Sequence, residues 1–213
     1  MPVSVRPLVS SDLESLTAVH IAAFPNSALT WLGKGAVKRY YDWLLNGPHE
    51  RYAIGAECDG RLVGLCFGGQ FRGALSGYLR ANRCFLAIRA TLRPWVFTNP
   101  IVRDRLRIGL RLLRRRQAVP TDGRLARSFG ILAIAVSPRY HGRKIGYSMH
   151  RSSEEYAYLH GWRHMHLTVE PDNSHAIAFY ERLGWVKRNA SDGNWRGYME
   201  KSIAGYESQA TAI

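Results

Sequence analysis

One short stretch of the sequence combines glycines with basic side chains in a way that suits the binding of an anion. The stretch HGRKIG, residues 141–146, lies between an apolar run and a helical pattern, where a strand passes into a helix. The first amides of an α-helix lack acceptors within the helix and carry partial positive charge, so they can bind a phosphate. Gly142 and Gly146 permit close approach of the backbone, and Arg143 and Lys144 add positive charge. We therefore expect a pyrophosphate here, although glycines in a turn are equally explained by backbone conformation alone.

Three histidines raise the alternative of a metal site. His164 and His166 lie on one face of a predicted strand, and His175 follows soon after it. Two histidines on a strand face are common surface residues, and no further ligand stands at a matching spacing. We expect no metal.

The elements that must position the basic loop are predicted to be a strand, a helix and a second strand. The run SFGILAIAVSP is apolar on both faces, which is typical of a central strand that is covered on both sides. A helix is predicted over residues 146–160 with Gly161 as its stop, and HMHLTVEP then alternates as a strand. This order implies a right-handed parallel crossover. A further helix, capped by Asn173 or Ser174, ends at Gly184.

The N-terminal part of the chain predicts a strand, two helices and a hairpin. VSVRPLV alternates like a strand, and Ser11 with Glu14 forms a capping box that begins a helix running to about Ala23. FPNSALTWLGKG is loop-like, and AVKRYYDWLL then forms a helix. Asp-Gly at 59–60 predicts a tight hairpin, and Asp-Gly at 192–193 predicts a second one near the C-terminal end.

Length and composition indicate one folded domain in a reducing compartment. The 213 residues are 46% hydrophobic and 22% charged, which is typical of soluble globular proteins. The three cysteines lack metal-ligand spacing, and the N-terminal sequence lacks the apolar core of a secretion signal. No apolar run is long enough to span a bilayer. We therefore expect a cytoplasmic protein.

The positive charge is concentrated in one segment. Residues 72–120 contain twelve arginines and a single acid, Asp104, so they carry +11 of the net charge of +14. Within this segment IVRDRLRIGLRLLRRR predicts an amphipathic helix, with one basic side and one apolar side. Its apolar side could pack on the domain or on a second subunit as a homodimer, and residues 101–117 could instead bind an anionic membrane surface at the periphery of the membrane. Nucleic acid is the less favoured partner.

Two sequence blocks together resemble the GNAT superfamily, the acyl-CoA-dependent N-acetyltransferases. The first block joins AVSP to HGRKIG, and the second runs from LTVEPDN through NSHAIAFYERLGW. The second block is the more specific, since it matches the family pattern at five positions: Asn173, Ala176, Tyr180, Gly184 and Trp185. The sequence departs from the family at two positions, where His141 replaces Arg or Gln and Lys144 replaces Gly.

This resemblance implies an α/β fold, α+β in some schemes. The family has a central mixed, mostly antiparallel twisted sheet with a splayed parallel strand pair, flanked by helices. We expect a single domain over residues 1–203, a basic helical insertion at about 72–120, and a flexible tail over 204–213.

The resemblance also implies an N-acetyltransferase that moves an acetyl group from acetyl-CoA to a primary amine by direct attack in a ternary complex. Backbone groups near Ile134, Ala135 and Val136 would pair with the pantetheine arm, and Asn173 would hydrogen-bond the cofactor. The pyrophosphate would lie on six residues of the basic loop: His141, Gly142, Arg143, Lys144, Ile145 and Gly146. Tyr180 would contact the cofactor and protonate the CoA thiolate as general acid, because a phenol stays protonated at neutral pH.

The general base and the acceptor are less defined. Some relatives carry a carboxylate where this chain has Thr168, so Glu170 acting through water is the candidate base. The acceptor wall of the family is built by the first two helices and the loop between them, which yields five candidates in this sequence: His20, Ser27, Thr30, Trp31 and Tyr40. The acceptor can be a small molecule or a polypeptide. The alternative function is a catalytically inactive GNAT-like domain that acts as a basic binding module for membrane or nucleic acid.

Overall fold

The computed structural model describes residues 3–70, 74–92, 128–190 and 193–205. Its strands are β1 (Val3–Pro7), β2 (Arg51–Cys58), β3 (Arg61–Gly69), β4 (Phe129–Val136), β5 (His164–Thr168), β6 (Val186–Asn189) and β7 (Trp195–Ser202). Its α-helices are α1 (Leu13–Ala23), α2 (Ala28–Leu32), α3 (Lys34–Asn46), α4 (Ala74–Ala81), α5 (Arg83–Thr91), α6 (Ile145–Leu159) and α7 (Ser174–Arg182).

The described strands form one mixed sheet in the order β1-β2-β3-β4-β5-β7-β6. β4 and β5 are parallel and are joined by α6, whereas the other described neighbours are antiparallel. This arrangement confirms the α/β fold, the mostly antiparallel sheet and the parallel crossover. The hairpin at 59–60 is also present, since Asp59 and Gly60 both adopt the positive φ that such a two-residue turn requires.

The core lies on both faces of the sheet. On one face α1 and α3 pack against β3, through a cluster that includes Leu16, Tyr41 and Phe67. On the other face α6 packs across β2, β3 and β4, with Met149 fully buried. The site therefore rests on strands that are supported from both sides.

Two details of the N-terminal half differ from the sequence predictions. The capping box is not formed by Ser11 and Glu14, because a 3-10 turn precedes α1 and Asp12 accepts the Val9 N–H at 2.9 Å. Glu14 instead pairs with Lys34 and Lys38 on α3. The segment predicted as a loop contains α2, which Ser27 caps by accepting the Thr30 N–H at 3.1 Å.

Two described helices fall within the predicted insertion. α4 packs on α3, where the Tyr78 hydroxyl donates to the Ala36 carbonyl at 3.0 Å. Gly77 lies so close to Trp43 that a β-carbon there would approach the indole to 2.6 Å. The predicted amphipathic helix and residues 206–213 of the predicted tail lie outside the described residues. Among the helices that the structure describes, none is long and apolar enough to cross a membrane.

Candidate active site

The two parallel strands separate close to their carboxyl ends. β4 pairs with β5 over Phe129–Ile131 against Met165–Leu167, and beyond Ile131 no described residue of β5 pairs with β4. Leu132 has no partner on β3, so it forms a β-bulge at the point where the strands diverge. From residue 133 to 136, β4 pairs with β3 on its other side. The backbone of this stretch therefore presents one edge to the opening, as the splayed strand pair requires.

A cavity of about 810 Å³ lies beside the opening. Eight of the predicted cofactor residues line it: Ile134, Val136, His141, Gly142, Lys144, Ile145, Gly146 and Tyr180. Ala135, Arg143 and Asn173 are not among the described residues that line it, and Ala135 is buried on the opposite side of the sheet, in the cluster with Leu16. The cavity thus joins the basic loop to the separated strands and to α7.

The basic loop has the geometry of a helix N-terminus open to an anion. After His141 the chain turns through Gly142, with φ of +77°, and Lys144, with φ of +57°, directly before α6. The N–H of Ser148 is bonded to the Lys144 carbonyl at 3.0 Å, so the amides of the preceding turn lie ahead of the first intrahelical bond. Position 144 adopts the left-handed conformation, which glycine reaches freely and which strains lysine.

Comparisons with known proteins bear on this geometry. Residues 108–185 match the family model described as "Acetyltransferase (GNAT) family". The resemblance to the GNAT superfamily is confirmed. The match begins inside the segment that was predicted to be an insertion, and it includes both blocks of the motif. No curated protein matches the chain in sequence.

Solved GNAT structures share the fold over nearly the whole chain. The PaiA N-acetyltransferase of Thermoplasma acidophilum, in complex with coenzyme A, is 16% identical with a TM-score of 0.57, over 95% of this chain and 99% of that one. The ribosomal-protein-S18-alanine N-acetyltransferase of Escherichia coli is 14% identical with a TM-score of 0.56, over 100% of both chains. The ribosomal-protein-alanine N-acetyltransferase of Brucella melitensis is 18% identical with a TM-score of 0.56, over 93% of this chain and 99% of that one. At these identities the likeness establishes the fold.

The side chains of the basic loop do not all point into the cavity as hydrogen-bond donors. The His141 ring is bonded to the Val136 carbonyl at 2.9 Å, so this end of β4 already has a hydrogen-bond partner. Arg143 lies over the Tyr140 ring, with 5.2 Å between the guanidinium carbon and the ring centroid. Lys144 is the basic residue of this loop that lines the cavity. The positive charge of the loop at the cavity therefore comes from Lys144 together with the backbone amides, and Arg182 on α7 adds a second cation to the lining.

An apolar wall on α7 was predicted only at Tyr180, and its other three members were missed. Ala176, Phe179, Tyr180 and Leu183 all line the cavity, and their spacing is that of one helical face. This pattern was visible in the sequence and could have identified the wall. Further lining residues are Tyr140 and Tyr147 beside the loop and His175 and Arg182 on α7. Asn173 caps α7 by accepting the Ala176 N–H at 3.0 Å.

Tyr180 is the buried member of this wall, with only 9% of its surface exposed, whereas Ala176, Phe179 and Leu183 are half-buried. Its ring contacts Phe179 and Trp185 edge to face, with centroid distances of 5.2 and 5.7 Å. Burial, with a smaller contribution from the Cys66 thiol, raises the pKa of Tyr180 above its ordinary value. The phenol is therefore protonated at neutral pH, which is the state that a general acid needs.

The candidate base lies on the surface. Glu170 lies two residues beyond the end of β5, is exposed, and its carbonyl accepts the Asn173 N–H at 2.9 Å. Thr168 is also exposed, and His166 on the same strand shares a hydrogen bond of 2.8 Å with Ser128. No group of three histidine, cysteine or acidic side chains in the described ranges could hold a metal ion.

The candidate acceptor residues on the first helices are engaged in an internal network. His20 contacts the Tyr41 hydroxyl at 2.9 Å through Nδ1 and the Ser27 hydroxyl at 3.0 Å through Nε2. Ser27 donates to the Thr30 hydroxyl at 3.0 Å, and Thr30 donates to the Phe24 carbonyl at 2.8 Å. Burial lowers the pKa of His20 to about 4, so the ring is neutral. Both hydroxyls thus join α1 to α2.

The two aromatic candidates are half-buried. Trp31 lies near the end of α2. Tyr40 packs edge to face on Tyr41 and Tyr78, with centroid distances of 5.5 and 5.3 Å. An acceptor at this wall would therefore meet aromatic surface that α4 supports from behind.

Proposed function

We propose that this protein transfers an acetyl group from acetyl-CoA to a primary amine by direct attack in a ternary complex. The observation that carries the proposal is one cavity lined by an open helix N-terminus, by β4 beyond its pairing with β5, and by Tyr180. The match to the acetyltransferase family and the likeness to a structure that holds coenzyme A support the same chemistry.

The chain offers a binding surface suited to each part of the nucleotide thioester. Amides of residues 142–146 and the Lys144 ammonium would hold the pyrophosphate. The open edge of β4 would pair with the amide groups of the pantetheine arm as an added strand does. The apolar wall on α7 would cover the other side of the arm. A β4 amide at the opening would stabilise negative charge on the thioester oxygen.

The proposed proton transfers follow from this placement. The amine nitrogen forms a bond to the acyl carbon, the C–S bond breaks, and Tyr180 donates its hydroxyl proton to the departing sulfur. The amine loses its proton to water, and Glu170 is the proposed acceptor at the end of that water path. Tyr180 then recovers a proton from solvent.

Thiol release is the direct test of this function. We expect the wild-type protein to release CoA thiol from acetyl-CoA in the presence of at least one amine class, in a screen of small amines, amino sugars, aminoacyl groups and lysine peptides. Tyr180→Phe keeps the ring and removes the proton, so kcat should fall about 100-fold while affinity for acetyl-CoA stays unchanged. An unchanged rate in this variant would remove Tyr180 from the mechanism. Binding of acetyl-CoA without any thiol release would instead favour the inactive binding module.

A further inference from the structure

A buried chain of polar side chains runs behind Tyr180. The Trp185 indole N–H donates to His150 Nε2 at 2.8 Å. His150 lies on α6, and its Nδ1 is 3.5 Å from a carboxylate oxygen of Glu154, one turn along the same helix. Glu154 forms an ion pair with Lys201 on β7. This network of side chains therefore links Trp185, three residues beyond the end of α7, to both α6 and β7.

The same network of polar side chains also contacts the end of α7. Lys201 Nζ donates to the Leu183 carbonyl at 2.5 Å. The N–H groups of Leu183 and Trp185 both donate to the Tyr180 carbonyl, at 2.9 and 3.1 Å. Both ends of the polar chain are thus bonded to the backbone segment that carries Tyr180. The last turn of α7 is thereby fixed to the helix whose N-terminus forms the anion site.

The packing of aromatic rings connects this fixed backbone to the phenol of Tyr180. Trp185 is 2% exposed, and its ring lies edge to face against both Tyr180 and His150. The centroids of His150 and Tyr180 are 6.4 Å apart. The indole can therefore move away from Tyr180 only by breaking its hydrogen bond in a dry interior, where the His150 acceptor would be left unsatisfied.

His150 is neutral, as it must be for Nε2 to accept the indole N–H. Burial, and then the positive charge of Lys201, lower the pKa of His150 to about 3. Since Nε2 accepts the indole N–H, the neutral ring carries its proton on Nδ1, the nitrogen that faces Glu154. The indole donor thus sets the ring orientation, while Nδ1, 3.5 Å from the Glu154 carboxylate, has no hydrogen-bond partner among the described residues.

We propose that Trp185 and His150 are positioning residues for the general acid. Their hydrogen bond holds the Tyr180 hydroxyl at the place where the CoA sulfur leaves. The ion pair of Glu154 with Lys201 holds α6, which carries His150, and the end of α7 in place. This inference rests on the proposed function, because it assigns the pair a role only through the acid chemistry of Tyr180.

The test compares two tryptophan substitutions in two backgrounds. Trp185→Phe keeps an aromatic ring but removes the N–H, so we expect kcat to fall about 10-fold, as small misplacements of a reacting group do. The KM for acetyl-CoA should not change, because the anion site is intact. In the Tyr180→Phe background the same substitution should have no further effect on kcat, since its action passes through that hydroxyl. Trp195→Phe is the matched control, because it removes an indole hydrogen bond of the same length, 2.8 Å to the Tyr198 carbonyl.

Each outcome separates this inference from the proposed function. If Trp185→Phe lowers only the melting temperature, or lowers kcat equally in both backgrounds, the positioning role is wrong while acetyl transfer stands. An equal loss of kcat in Trp195→Phe would also contradict it. If the wild-type protein releases no thiol, or if Tyr180→Phe turns over normally, the proposed function fails and the inference fails with it.

Discussion

At the residue scale, the sequence predicted which side chains surround the cavity better than it predicted how they are bonded. Eight predicted cofactor residues line one cavity because backbone order and helical spacing determine their location. The partner of the His141 ring, the Val136 carbonyl, was not predicted, because a loop side chain chooses among several nearby acceptors. Likewise, the contact of Ser27 with His20 depends on how α1 and α2 pack, which periodicity does not specify.

Gly146 yields a prediction in which stability and affinity change in opposite directions. Its position needs no glycine for packing, since an added β-carbon would meet Phe179 at an ordinary 3.6 Å. Gly146→Ala should therefore stabilise the fold by about 0.5 kcal/mol, because alanine favours the helix. The methyl group would enter the cavity at the anion site, so the Kd for acetyl-CoA should rise about 10-fold, or about 1.4 kcal/mol.

Urea unfolding and calorimetric titration would measure the two effects. Gly35→Ala is the control, since Gly35 is also the second residue of its helix and its β-carbon would meet Phe85 at 3.4 Å. This control should resemble Gly146→Ala in stability and the wild type in affinity. An unchanged Kd in Gly146→Ala would mean that no ligand approaches the backbone there.

At the element scale, the strands and long helices were predicted because their signals are local. The hairpin at 59–60 and the strand–helix–strand crossover follow from turn chemistry and apolar periodicity. The predicted start of α1 was wrong because two local caps compete there. Asp12 accepts the Val9 N–H and also forms an ion pair with Arg6 of β1. α2 was missed because a five-residue helix has too short a period to detect.

α1 and α6 each carry a buried histidine, and the lowered pKa values of these two rings predict how the free energy of unfolding depends on pH. The pKa values are lowered to about 4 in His20 and about 3 in His150, whereas in the unfolded chain each titrates near 6.5. The unfolded state therefore binds more protons at acidic pH. This contribution to stability is complete above about pH 6.5 and falls as the pH drops, by up to about 1.4 kcal/mol per unit for each histidine.

Urea unfolding between pH 4.5 and 7.5 would measure this slope. His150→Gln keeps an acceptor for the Trp185 indole but removes one titrating ring. The slope should therefore be smaller than that of the wild type by up to about 1.4 kcal/mol per pH unit. Equal slopes in the two proteins would show that His150 is not held neutral by the fold.

At the scale of the whole molecule, two sequence blocks were enough to recognise the fold. They gave no information on the role of the basic segment, residues 72–120. α4 and α5 carry Arg80, Arg83 and Arg89 without an acid, and they expose Ile88 and Leu92. Composition predicts a positively charged segment but not its binding partner. Packing on the domain, membrane binding and dimerisation all require the same amphipathic pattern. The cytoplasmic location, the homodimer and the membrane partner accordingly stay predictions.

Liposome sedimentation tests the membrane prediction. If residues 101–117 bind an anionic surface, the protein should sediment with vesicles that contain phosphatidylserine and not with neutral ones, and added salt should release it. Replacing Arg103, Arg107, Arg111 and Arg114 by Gln should abolish this binding, whereas Leu159→Glu, on the exposed end of α6, should not. Equal failure to sediment with both vesicle types would contradict the prediction.

A crystal structure of the protein with acetyl-CoA tests the central claim most directly. The account predicts a diphosphate on the amides of residues 142–146, a pantetheine arm along β4, and the thioester sulfur next to the Tyr180 hydroxyl. A loop without phosphate, or an acyl group bound away from the gap between β4 and β5, would contradict it.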